Sequence, residues 1–351
     1  MGKRRRQECD CGKRRRKHLY LVLDDWDNGF SLHKMDALSL LDDSDDDGGR
    51  ELERLPDPPA VRITEARQSP MLFAGLGTSI FVANKIQRSP KVTGALVYDT
   101  ETAAIAMGPA PGEHMLLLRR QHEGPLGGVS VHALSWARSP AALAEAWLPS
   151  HEGAWESVAA PTAPFDGNEE PVVSSAVHGR AHHILLDEKQ GVATRRHLFL
   201  RHEAAGVEVA RGMGAAFHQA GYFEREIDAW VGLHEDGYIC CCRAATATPG
   251  AAPEWRKTEQ KLYREGDRDR RLGATLTYMG NNVFCLVESV VREDVDPGRA
   301  YGGGRGCALH VTVFGLKYNR EGEVQATLRR VTKSYAVSKY IPDFTHEAFW
   351  M

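Results

Sequence analysis

Short apolar stretches separated by polar turns run through most of this chain, at the spacing of strands rather than helices. His18–Val22 and Gly29–Met35 flank a polar turn at Asp24–Asp27, and Val61–Ile63 forms a further short strand. Met71–Phe73, Ser79–Ala83, Leu96–Tyr98 and Ala103–Met107 then form a four-strand unit whose turns are Gly75–Thr78 and Asp99–Thr102. The pattern continues with Met115–Arg119, Val129–Trp136 and Ala154–Val158, then with Val172–Val177, Ala181–Leu186, Arg196–Leu200 and Gly206–Arg211. Gln219–Cys242 reads as strand, turn, strand, with Asp236-Gly237 as the hairpin signal. Lys261–Tyr263, Ala274–Met279, Val283–Glu288, Leu309–Tyr318 and Val324–Val331 complete the series, and Ser334–Val337 reads as one more strand. Only Pro140–Trp147 looks helical, as an insertion between strands.

Repetition of a four-strand unit of roughly 40 residues is the length signature of a propeller blade. The expected fold is therefore all-β: one β-propeller domain over residues 18–351 with about six blades, seven being the alternative. Residues 1–17 form a basic tail, and an acidic loop covers about 40–57.

Composition changes this picture little. Of 351 residues 42% are apolar, enough for a core, and the formal net charge of −3 makes no broad electrostatic call on nucleic acid or a membrane surface. The start has no apolar core of a signal peptide, and no apolar run approaches the length of a membrane span. The 7 cysteines include three in succession, Cys240–Cys242, whose alternating directions do not suit mutual disulfides. A reduced intracellular protein, cytoplasmic or nuclear, is the resulting expectation.

Several stretches are familiar in combination: HLYLVLDDWDNGFSLHKMD from His18, LVYDTETAAIAMGP from Leu96, FEREIDAWVGLHEDGYICCC from Phe223, LGATLTYMGNNVFCLVE from Leu272 and HVTVFGLKYN from His310. They resemble a family of grass proteins, best known from rice, classed as domain of unknown function 1668. The resemblance runs from His18 to Met351 and implies a kelch-like β-propeller, with no activity attached. Val97-Tyr98-Asp99 with Thr102 matches part of a kelch blade, but alanine and isoleucine follow where a tryptophan belongs. Gly127-Gly128 precedes a different strand pattern, and Arg195-Arg196-His197 replaces the aromatic and acid expected after Gly191. An F-box partner module finds no room in the 17 residues before the first strand.

Each candidate for chemistry has a plainer reading. Asp43–Gly48 matches the first half of an EF-hand loop, but Arg54 stands where the bidentate glutamate belongs, so the run reads as a solvated loop. Lys3, Arg4, Arg5, Arg6, Lys13, Arg14, Arg15, Arg16 and Lys17 could serve nuclear import; the plainer reading is a solvated tail. Cys9 and Cys11 alone do not complete a zinc site. His182 and His183 are adjacent and face opposite ways on a strand, and His178 has no partner pattern. Glu226 and Asp228 share a strand face, as a catalytic or a turn-stabilising pair would. Gly75-x-Gly77 reads as a turn, and Gly302–Gly304 with Gly306 as a flexible connection. Trp136, Trp147, Trp155, Trp230, Tyr98 and Tyr222 read as packing residues. The sequence thus expects no catalytic residue, metal or cofactor. It points to a monomeric, non-enzymatic propeller that binds a partner protein by its loops; the alternative is an enzyme or carbohydrate-binding propeller with a site at the channel mouth.

Overall fold

A computed structural model describes residues 17–24, 29–36, 40, 52–64, 71–84, 95–108, 115–121, 129–135, 143–147, 155–158, 172–178, 181–186, 196–201, 206–210, 217–243, 255–264, 268–339 and 346–351. For the strands between 115 and 210 it describes the backbone alone. The first strands are β1 (His18–Asp24), β2 (Phe30–Asp36) and β3 (Val61–Ile63). A second group is β4 (Met71–Leu76), β5 (Ser79–Asn84), β6 (Ala95–Asp99) and β7 (Ile105–Gly108). A third is β8 (Met115–Gln121), β9 (Val129–Ser135), β10 (Leu143–Trp147) and β11 (Trp155–Val158). Then come β12 (Val172–His178), β13 (Ala181–Leu186), β14 (Arg196–Arg201) and β15 (Gly206–Ala210), followed by β16 (His218–Glu224), β17 (Ala229–Leu233), β18 (Tyr238–Arg243) and β19 (Arg256–Lys261). The last are β20 (Arg271–Gly280), β21 (Val283–Val291), β22 (Gly302–Tyr318), β23 (Val324–Lys339) and β24 (Glu347–Trp350).

These strands form four four-stranded sheets and one of eight strands. Neighbours within each run of four are antiparallel, so each run is a meander built from local hairpins. The last strand, β24, leaves its neighbours in sequence and pairs with β1, giving the order β24-β1-β2-β3. The His346 ring meets the Val287 carbonyl at 3.0 Å, and the Thr277 hydroxyl donates to the Ala348 carbonyl at 3.0 Å, fixing β24 beside β20 and β21.

The all-β expectation holds, but the kelch-like closed propeller of six or seven blades does not. Among the described residues no sheet closes on itself, and β12 pairs in parallel with β16, fusing two runs of four into one eight-stranded sheet. Strand periodicity sets each meander; it carries no information on how meanders join, which depends on contacts far apart in sequence. A site at a channel mouth loses its premise with that correction. The helical reading of Pro140–Trp147 also fails: Leu143–Trp147 is a strand between β9 and β11, and its helix-forming alanines yield to ladders on both sides. β22 begins at Gly302, so the glycine run opens a strand rather than a flexible connection.

Period-2 alternation places the core. Cys285, Val287, Leu309, Val311 and Val337 pack on Leu19, Leu21 and Leu23 of β1. The opposite face of that sheet, with Leu276, Phe284, Leu286 and Phe314, packs on Val231, Leu233, Ile239 and Tyr263. Tyr20, Val22, Phe30 and Leu32 turn the other way, onto Phe73, Ile80, Val82, Tyr98 and Phe349. Strands apolar on both faces are what stacked sheets require. Gly232 is there because a Cβ would lie 2.3 Å from the Phe217 ring.

Candidate interaction edge and buried polar row

Each run of four ends on an outer strand: β3, β7, β11, β15, β19 or β23. Five of these carry charge, from Arg62 in β3, Glu156 in β11 and Glu208 in β15 to the run RKTEQK of β19 and Lys333 in β23. Charge on an outer strand discourages another chain from adding to it. β7, with the sequence IAMG, has none. Its residues 105–107 are exposed on both faces of the strand, Ile105 at 56% and Met107 at 65%.

The register explains what this edge offers. Tyr98 pairs with Ile105 and Leu96 with Met107, so both exposed side chains continue the apolar face formed by Tyr98, Leu96, Ile80 and Val82. Opposite that face the first sheet ends at β3, three residues long, with Val61 and Ile63 half-buried. The β6–β7 turn is fixed: the Asp99 amide donates to the Ala104 carbonyl at 2.9 Å, and Asp99 Oδ1 accepts the Glu101 amide at 2.8 Å. The Thr100 hydroxyl donates to the Thr78 carbonyl at 2.7 Å. Hydrogen bonds to the Glu101 amide and to Thr102 and Thr78 outweigh partial burial and hold the Asp99 carboxyl below its ordinary range. Because Asp99 bonds Ala104, alternation along the antiparallel ladder turns the N–H and C=O of Ile105 and Met107 away from β6.

A second constellation lies inside. Glu288, His310 and Ser334 are register partners on β21, β22 and β23, one row across three strands. The Ser334 hydroxyl and His310 Nδ1 are 2.7 Å apart, and Arg264 Nη1 approaches the same Nδ1 at 3.0 Å. Glu288, fully buried, accepts from Arg271 Nε at 3.2 Å, and the Arg271 guanidinium stacks 3.7 Å over the Tyr263 ring. Burial pushes the Tyr263 hydroxyl up to about 12, with the Arg271 charge opposing it in part. A serine bonded to an imidazole is the core of a nucleophile–base pair, whose third member would be a carboxylate orienting the ring. Here a guanidinium, a donor, shares Nδ1 with the serine instead. The row forms a buried polar tie that joins β21, β22 and β23 to Arg264 and Arg271.

The residues singled out in the sequence scatter. Lys3–Arg6, Cys9, Cys11, Lys13–Arg16, Asp43–Gly48, Gly127, Gly128, Trp136, Gly191 and Arg195 lie outside the described residues; Lys17 is exposed at the start of β1. Glu226 and Asp228 do not share a strand face: they sit in the exposed turn between β16 and β17, where Asp228 has φ 45°. Asn282 Nδ2 donates to Glu226 at 3.3 Å, while Glu224, buried, accepts the amides of Glu226 and Asn282. Cys240–Cys242 are all buried thiols outside any disulfide, and desolvation pushes the Cys240 thiol up to about 12. Trp230 is half-buried, edge-to-face with Phe223 at 5.7 Å. Trp147 and Trp155 are register partners. Gly77 turns with φ 56°, and Gly75 admits Phe349, whose ring would lie 2.7 Å from a Cβ. Among the described residues no three His, Cys, Asp or Glu side chains gather as a metal site. Sequence reasoning missed β7 as a surface, although its lack of charge beside the other outer strands was legible. It missed the row as well; the signal was His310 and Thr312 inside the apolar run of β22.

The chain belongs to the family described as protein of unknown function (DUF1668), whose model matches residues 16–199 and 213–335. No curated protein matches it. Among solved structures it resembles apo AztD from Citrobacter koseri, with 9% identity and a TM-score of 0.45 over 96% of this chain and 98% of that one. It also resembles TolB from Acinetobacter baumannii, with 9% identity and a TM-score of 0.45 over 95% of this chain and 66% of that one. A member of the DUF4221 family from Bacteroides vulgatus matches with 10% identity and a TM-score of 0.37, covering 75% and 82%. At these values the likeness carries no argument about activity or partner. Family membership stands, but the expected plant kelch-like closed propeller does not: the described sheets are unclosed. The expected cytoplasmic or nuclear setting likewise finds no support in these comparisons. What the structure supports is narrower: no described helix is long and apolar enough to cross a membrane.

Proposed function

We propose that this protein is a non-enzymatic interaction module that acts as a monomer and binds a partner protein at the edge of the β4–β7 sheet. The observation that carries this reading is β7 itself, an uncharged apolar strand exposed on both faces at the end of its run of four, where the last strands of the other five described runs all bear charge. An exposed apolar edge is an aggregation hazard that natural sheets suppress unless something uses it. The polar row of Glu288, His310 and Ser334 supports the same reading: its groups are spent on one another and on Arg264 and Arg271.

Affinity capture with wild-type and Ile105→Asp/Met107→Asp baits, compared by quantitative mass spectrometry, tests it. A partner that binds at this edge is recovered by the wild type and depleted about tenfold or more by the double variant, since charge at the centre of an apolar contact costs several kcal/mol. Equal recovery of every captured protein by the two baits sinks the proposal.

A further inference from the structure

We infer that β7 takes an extended peptide from its partner as an added antiparallel strand, recognised through the backbone of Ile105 and Met107. The inference rests on the interaction reading above and specifies its chemistry.

Two properties coincide on the same residues. Ile105 and Met107 hold the exposed apolar side chains of β7, and they are the residues whose N–H and C=O point away from β6. An incoming antiparallel strand would meet both as hydrogen-bonded pairs, forming up to about four main-chain bonds. Directly opposed residues in such a pairing put their side chains on one face. The partner's two residues opposite Ile105 and Met107 therefore lie over the face continued by Leu96 and Tyr98, and apolar side chains suit both positions. The residue between them faces the other side, over Ala106, and is unconstrained. The recognised pattern is apolar–any–apolar.

The extent of the edge selects the occupant. β7 offers 4 residues and then meets Pro109. A stable dimer buries about 800 Å² on each side with about 20–30 residues. Four edge residues fall far short of that, so a short peptide fits where a second copy of this chain does not. Charge fixes one end: Asp99 and Glu101 stand in the turn before Ile105. In antiparallel addition this turn faces the C-terminal end of the peptide, where a lysine or arginine is favoured.

A display library of eight-residue peptides, panned on the full-length protein and followed by fluorescence polarisation of labelled clones, tests the inference. Enriched clones should carry apolar residues two apart. They should bind Ile105→Pro and Met107→Pro at least about tenfold more weakly than wild type, because proline removes an outward N–H that the β6–β7 ladder does not use. Backbone N-methylation of the peptide residues opposite Ile105 and Met107 should weaken binding equally, which tests the idea without altering the protein's fold. If the proline variants and the methylated peptides bind like their parents while Ile105→Asp/Met107→Asp does not, the partner docks by side chains; strand addition is then refuted and the interaction reading survives. Enriched clones indifferent to all these changes refute both. Sedimentation showing a dimer that Ile105→Asp dissolves makes a second copy the occupant and overturns the peptide.

Discussion

β19 and β7 each end a four-strand meander, and they could hardly differ more. β19 reads RKTEQK and presents five of its six residues to solvent while burying Thr258 alone. That threonine has a specific task. The ladder with β18 shifts register between Tyr238 and Cys240, and the Ile239 amide left over donates to Thr258 Oγ1 at 3.2 Å. Lys257 meets Asp236 at 3.4 Å beside the hairpin turn. β7 reads IAMG and presents Ile105, Ala106 and Met107 instead. Exposure is the same in both; chemistry is opposite. The comparison teaches that exposure alone does not set the character of an edge: charge on β19 discourages an added strand, and β7 lacks that protection.

The comparison breaks most severely at the support of β19. Gly237 has φ 89°, a Cβ there would lie 2.1 Å from the Tyr263 ring, and its carbonyl accepts the Leu262 amide at 2.8 Å just beyond β19. Gly237→Val adds left-handed strain and a steric clash, for an expected loss of about 3 kcal/mol or more in urea denaturation. A midpoint equal to wild type would mean that β19 is not held at this turn. A third edge, β24, sharpens the contrast by using an inward-pointing carboxyl. Burial pushes Glu347 up to about 7 from an ordinary 4.5. The folded state therefore keeps a proton that the unfolded chain releases, so this contribution is fully present below about pH 4.5 and is lost as pH rises through about 7. The limit is about 3 kcal/mol, and partial solvent access to the side chain places the effect below it. Glu347→Gln should flatten the decline between pH 4.5 and 7 in calorimetric melting. An unchanged pH profile would count against a protonated Glu347.

Two milder changes exchange the edges. Lys257→Val/Glu259→Val gives β19 the character of β7; light scattering should rise steeply with concentration while the melting temperature moves by only a few degrees. Absence of association would show that charge is not what keeps β19 single. The reverse change, Met107→Lys, should leave stability within about 0.5 kcal/mol, as exposed substitutions do, and lower partner capture. A large loss of stability would show that Met107 packs in the fold and is not a free contact.

Much of the local structure was legible. Alternation in HLYLVLD, in VFCLVESVV and in HVTVFGLKY gives β1, β21 and β22, and Asp236-Gly237 gives the turn between β17 and β18. β19 was harder to read: only Lys261 was assigned to a strand, because a polar outer strand carries no apolar alternation. β10 was misread because the leucine, alanines and glutamate of LAEAW favour a helix until two neighbours bind them as a ladder.

What the sequence determined by itself is the set of antiparallel meanders, since period-2 alternation and turn chemistry act over a few residues and the ladder follows. It also determined the charge on each outer strand. The tertiary structure decided the rest: that β24 closes onto β1, that β12 joins β16 in parallel, that Ser334 meets His310 and Arg264, and that nothing described packs over β7. Each of these joins or separates segments distant in the chain, and their positions follow from how the sheets bury one another's faces, a quantity no local window of residues contains.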